Sequence, residues 1–265
     1  AGAGGPQGCK GEAAIIGAAV GSGIPHRHCA PALRADFRPA GRLWSTQAMD
    51  TTAAKATLSH DLPERLRLGT RDLHAQTERT GFMAEMLAGR IRLPAYCALL
   101  RNLHAIYQAL EAGLALGRAD PAVALVDKPA LHRQAALAAD LLALHGPDWA
   151  QALPVQAATL AYVARLQGLA QSRSRALIAH AYVRYLGDLH GGQVLKRLVA
   201  RTLGLQDELG TGFYDFGSTD EVLALRLALR AALGQLPVSA AEADAIVDEA
   251  RWAFVQHQRL FEQLA

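Results

Sequence analysis

Residues 178–197 read IAHAYVRYLGDLHGGQVLKR, and the reading of that stretch decides the fold. Its apolar residues recur at helical steps, yet Gly187, Gly191 and Gly192 fall within six residues. Each glycine inside a helix costs about 1 kcal/mol relative to alanine, so three should end it unless their bareness is used. Helical sequence nevertheless runs on both sides, within a span of about 174–204. Gly187 and Gly191 are four apart and share a face, where missing side chains let the backbone approach a flat object and let the helix kink. Asp188 falls beside that face, with Arg184 one turn earlier. A phosphate-cradling loop would follow a strand and open a helix, which this segment does not. A plain loop between two helices is the other alternative.

The sequence around this stretch is helical from Leu58 onward. Leu99, Leu103, Ile106, Leu110 and Leu114 form one stripe of a helix that starts near Pro94 and ends near Gly117. Ile246, Ala250, Phe254, His257, Phe261 and Leu264 form another, with Ser239 as N-cap. Further helices are expected at about 60–80, 130–145, 155–171 and 219–235, with linkers at 117–129 and 205–218. No window alternates with period two for long enough to argue a strand. The fold class is therefore all-α, one helical domain over 58–265. Residues 1–57 differ: nine of 24 glycines and four of 11 prolines lie at or before Gly41, which reads as a disordered extension.

Composition narrows the function. A 51% apolar chain can bury a sizeable core, and a net charge of +3 is too small for a dedicated nucleic-acid binder. Cys9, Cys29 and Cys97 form neither a disulfide framework nor a CxxC zinc pattern. No apolar run reaches 18 residues, so a protein without a membrane span, in the cytoplasm, is expected.

Two other places break the bland helical pattern. His74 and Glu78 are four apart, so the carboxylate can accept from one imidazole nitrogen and leave the other for a metal; a surface pair is the plain alternative. Arg226 and Arg230 share a face of one helix, and Arg67 lies two turns before His74. Solvation is the default for such charges, but together they suit carboxylates at a site's rim. A di-iron bundle needs Glu-x-x-His pairs, and no glutamate has a histidine three residues on. A G-x-S-x-G hydrolase elbow is also missing.

Taken together, these segments resemble the biliverdin-producing haem oxygenases. Residues 178–197 are similar to that family's signature helix, and LHAQTE (73–78) to its proximal histidine segment. NLHAIYQALE (102–111), the LHRQAAL…ADL segment from Leu131 and the EARWAF…LFEQL segment from Glu249 match in the same order. The resemblance implies a helical bundle in which haem b lies between a proximal helix and a kinked, glycine-rich distal helix. It implies His74 as iron ligand, oriented by Glu78. It places Gly187, Gly191 and Gly192 against the porphyrin, Asp188 as the acid that organises distal water, and Tyr107 in the same network. Arg67, Tyr182, Arg226 and Arg230 fall where haem propionates are contacted.

The implied reaction is cleavage of haem at a meso carbon to biliverdin, carbon monoxide and ferrous iron, with O2 as co-substrate. Haem is then both substrate and cofactor. No GxGxxG segment follows a strand, so electrons are expected from a separate NADPH-dependent reductase or ferredoxin. A monomer without a membrane anchor is expected. The chain departs from the pattern at His190, where a small residue is usual, and at Arg67 and Arg226, where lysine is frequent. His190 lies about 200° around the helix from Asp188 and is expected to point away from it, as a packing or supporting histidine. If it reached the iron instead, a non-catalytic haem-binding or storage protein on the same fold would be the alternative.

Overall fold

A computed structural model describes residues 62–206 and 209–265, all within one compact unit of the chain. The expected extension over 1–57 lies outside the described residues. Eleven α-helices occur in the described part: α1 Leu62–Thr77, α2 Gly81–Leu87, α3 Leu93–Gly117, α4 Pro121–Val126, α5 Gln134–His145, α6 Trp149–Ala152, α7 Ala157–Gln171, α8 Leu177–Ala181, α9 Gly187–Leu203, α10 Thr219–Gly234 and α11 Ala240–Leu264. No strand occurs among the described residues, and none of their helices is long and apolar enough to cross a membrane.

The 25-residue helix α3 forms the spine. Pro94 sits in its first turn, where a missing N–H costs nothing. The stripe read from the sequence is buried along its whole length, from Leu99 through Leu114. That face packs against α5 and α7, and α11 closes the bundle across α1, α7 and α8. Each fully buried leucine of such a stripe contributes about 1.5–3 kcal/mol, so packing and not propensity holds α3 in place. Local sequence sets the boundaries. Ser218 with Glu221, and Ser239 with Glu242, form reciprocal capping boxes at the starts of α10 and α11. Gly204 ends α9 in the left-handed conformation that glycine adopts without a Cβ penalty.

Two expectations need correction. The segment 117–129 is not a bare linker: Asp120 accepts a hydrogen bond from the Ala122 amide and starts α4, which buries Ala122, Val123 and Val126. The long helix expected over 174–204 is divided. The three glycines do not end it; helix α9 runs through them. The irregularity falls one turn earlier, as a π-helical turn over Tyr182–Leu186 between α8 and α9. One residue more per turn rotates everything after it, a local change found often at functional sites.

Candidate active site

Helix α1 forms one wall of a slot. At Gly69 an added Cβ would lie 2.6 Å from Val247 Cγ1, so the glycine allows α1 to press against α11. One turn on, Gln258 of α11 donates from Nε2 to the Leu73 carbonyl (3.1 Å) and to Thr77 Oγ1 (3.2 Å). These contacts hold the last turn of α1, where His74 stands. Its ring meets Phe254 edge-on at 5.9 Å. Its Nδ1 is 3.5 Å from Glu78 Oε1, an oxygen that makes no hydrogen bond at that separation. The His74 side chain keeps 38% of its surface exposed, and its Nε2 has no hydrogen-bond partner among the described residues.

Helix α9 carries the glycine-rich segment. Gly187 is exposed, and a Cβ built there would meet nothing within 4 Å. Gly191 is buried one turn further along. Gly192 is turned elsewhere: its Cβ would lie 3.7 Å from the Tyr214 ring and carbonyl, so its bareness serves the contact with the Gly212–Tyr214 turn.

Asp188 points into the protein with only 9% of its side chain exposed. Tyr107 donates a short hydrogen bond to Asp188 Oδ2, and Arg184 Nη2 donates to Oδ1 at 3.1 Å. Arg184 also donates from Nε to the Tyr107 hydroxyl (3.1 Å) and from Nη1 to His257 Nε2 (2.6 Å). His257 can accept there because its Nδ1–H is committed to the Ala253 carbonyl at 3.0 Å. Burial first, then the Arg184 charge, pushes the His257 pKa down to about 3, so the ring stays neutral. Burial raises the Asp188 pKa, while Arg184 and the Tyr107 hydrogen bond pull it back. Burial works against Arg184 too, but Tyr107, Asp188 and Tyr162 keep it firmly charged. The arrangement is a buried acid that is poised, tied to a phenol and a fixed cation.

The rim joins three elements. Tyr182, from the π-helical turn, brings its hydroxyl to 3.5 Å from Thr70 Oγ1 of α1. The charges of Arg230 and Arg67 both bear on Tyr182, and Arg230 bears on Glu64 as well. Arg67 is ion-paired within its own helix, donating to Glu64 from Nε (2.8 Å) and Nη2 (2.6 Å). Arg226 and Arg230 bear on His190 across the opening, together with His74. His190 points away from Asp188 as expected, but the expected packing does not follow: it is exposed and stands in the opening.

Sequence reasoning missed His257 and Gln258. The signal was present: His257 sits in the apolar stripe of the last helix, where a polar residue demands a buried partner. Among the described residues no three His, Cys, Asp or Glu side chains gather as a ligand set for a bare metal ion. One imidazole facing a bare helix face suits a metal whose other ligands come from a flat macrocycle, with cations at the mouth for its acid groups.

The family model described as "Heme oxygenase" matches residues 60–263, and the chain belongs to that family. It is 37% identical over 207 residues to "Heme oxygenase 1" of Synechocystis sp., covering 78% of this chain and 86% of that one. It is 36% identical to the "Heme oxygenase" of Porphyra purpurea, covering 77% of this chain and 86% of that one. Among solved structures, heme oxygenase-1 from Synechocystis in complex with heme superposes with a TM-score of 0.73 at 37% identity, over 77% and 92% of the two chains. The heme oxygenase of Leptospira interrogans gives 0.72 at 31% identity, over 77% and 99%. None of these relatives favours the storage alternative.

Proposed function

We propose that haem is held between α1 and α9 with its iron on His74 Nε2, and that this chain opens it to biliverdin, carbon monoxide and ferrous iron. The observation that carries the reading is an imidazole with an unpartnered Nε2 on α1 together with a bare helix surface at Gly187 on α9. Both elements are held by the protein's own contacts: Gln258 fixes the turn of His74, and a Cβ at Gly187 would meet no protein atom within 4 Å. When bound, haem supplies the iron that activates dioxygen and the meso carbon that is oxidised.

The remaining chemistry belongs to the side chains. Glu78 lies 3.5 Å from His74 Nδ1 and favours the tautomer with its lone pair on Nε2, making a neutral nitrogen ligand without the electron push of a thiolate. Gly187 and Gly191 let the backbone come close and leave room for dioxygen at the ring edge. Tyr182, Arg230, Arg226 and Arg67 receive the propionates, with Arg67 shared with Glu64. Asp188 holds a water and passes a proton at Oδ1 or Oδ2 toward the reacting oxygen, with Tyr107 and Arg184 fixing the carboxylate. Gly192 serves packing in this reading.

Electrons come from a separate donor, an NADPH-dependent reductase or a ferredoxin. We place the reaction in the cytoplasm, where such donors operate, with the protein as a monomer.

The test is haem titration of the parent and His74→Ala, followed by reductant and air. His74→Ala should lose the axial ligand and fall to background turnover, and added imidazole should restore part of it. Parent-like turnover by His74→Ala without imidazole refutes the assignment.

A further inference from the structure

His190 stands on the same bare face as the slot glycines, three residues after Gly187 and one before Gly191. Its Nδ1 donates to the Leu186 carbonyl at 2.6 Å, so its lone pair is on Nε2, which has no hydrogen-bond partner among the described residues. His74 is arranged alike, with Nδ1 toward the Glu78 carboxylate and Nε2 unpartnered. His74, Arg226 and Arg230 are the electrostatic neighbours of His190. Two imidazoles therefore neighbour each other, each with an Nε2 that has no hydrogen-bond partner among the described residues.

Two such ligands are too few for a bare divalent ion. They are the right number for a metal whose four in-plane positions are filled by a macrocycle. We propose that His190 Nε2 is a second axial ligand to the iron of bound ferric haem, opposite His74, in the resting complex. This rests on the slot being the haem site. Ligation is a simple exchange: Nε2 gives its lone pair to the iron, a water leaves, and no electron or proton moves. While His190 is on the iron its Nδ1–H stays with the Leu186 carbonyl, which fixes the tautomer in that state. His190 must then swing away before dioxygen can reach the iron, which makes it a gate on the reaction and not a group that takes part in it.

The test uses anaerobic ferric haem complexes of the parent, His190→Ala, His190→Ser and His74→Ala, read by optical and electron paramagnetic resonance spectra. The parent should be low-spin with two nitrogen axial ligands, and both His190 variants should be high-spin. If His190 holds the sixth position in about nine-tenths of molecules, its removal should tighten added imidazole on that side by about tenfold. A high-spin parent, or a low-spin spectrum that survives both His190 replacements, overturns the proposal. Normal haem uptake by the His190 variants, alongside loss of the His74 ligand signature from the spectrum of His74→Ala, keeps the slot reading intact whatever the spin state. A parent that takes up no haem sinks both.

Discussion

Replacing Arg184 by Met removes the cation from the buried network while keeping much of its volume. Its guanidinium donates at 3.1 Å to both Asp188 and Tyr107, and only 12% and 9% of the Arg184 and Asp188 side chains are exposed. At 3.1 Å and an effective dielectric near 20, the Arg184–Asp188 attraction is about 5 kcal/mol. Breaking a buried pair from one side typically costs about 3–5 kcal/mol, because the remaining charge is stranded.

The cost should depend on pH. Burial already raises the Asp188 pKa and Arg184 holds it back, so without Arg184 it rises further. An acid with a raised folded pKa keeps a proton that the unfolded chain has released, so stability falls as pH climbs from the unfolded value through the folded one. As pH falls, the variant's Asp188 takes up a proton more readily than in the parent, and its stranded charge is relieved. Relief of the Arg184 charge on His257, whose pKa is pushed down to about 3, helps in the same direction at low pH. Urea unfolding should therefore show Arg184→Met weaker than the parent by about 3–5 kcal/mol at pH 8, with a smaller deficit at pH 5. Equal loss at the two pH values, or none at pH 8, refutes the assignment of a buried ion pair.

Other outcomes follow from the same geometry. Asp188→Ala should bind haem nearly as the parent does, while biliverdin yield per haem consumed drops by about 10²-fold or more; an unchanged yield removes Asp188 from proton delivery. Gly187→Ala should raise the melting stability of the haem-free protein by about 0.5–1 kcal/mol, since its methyl meets nothing within 4 Å, yet weaken haem binding. Gly69→Ala should do the opposite to stability: a methyl 2.6 Å from Val247 Cγ1 costs about 1–3 kcal/mol, more than helix propensity returns. Calorimetry of the haem-free variants reads both, and a stabilised Gly69→Ala contradicts the close approach of α1 to α11. Ser239→Ala should lose about 1 kcal/mol in the same measurement, since the capping box that starts α11 would be broken.

The parts of this molecule that were legible in the sequence are those governed by one helix at a time. The stripe from Leu99 to Leu114 is buried as its spacing requires, and Ser239 caps α11 as its type requires. His74 with Glu78 was visible because both lie within one turn. Features that depend on several elements were not legible. The π-helical turn at Tyr182–Leu186 leaves no periodicity signal, and the glycines drew attention one turn too late. The Arg184–His257 contact joins residues 73 positions apart, and His257 looked like an ordinary member of an apolar stripe. His190 shows the limit of angular reasoning. The direction away from Asp188 was readable, but that side of α9 is the opening and not the core.

The most direct measurement loads the protein anaerobically with one equivalent of ferric haem, removes the excess, then adds reductant and air and separates the pigments by chromatography. The account predicts that bound haem disappears and biliverdin appears in its place, with carbon monoxide released in equal amount. Haem recovered unopened from a complex held through His74 would contradict it.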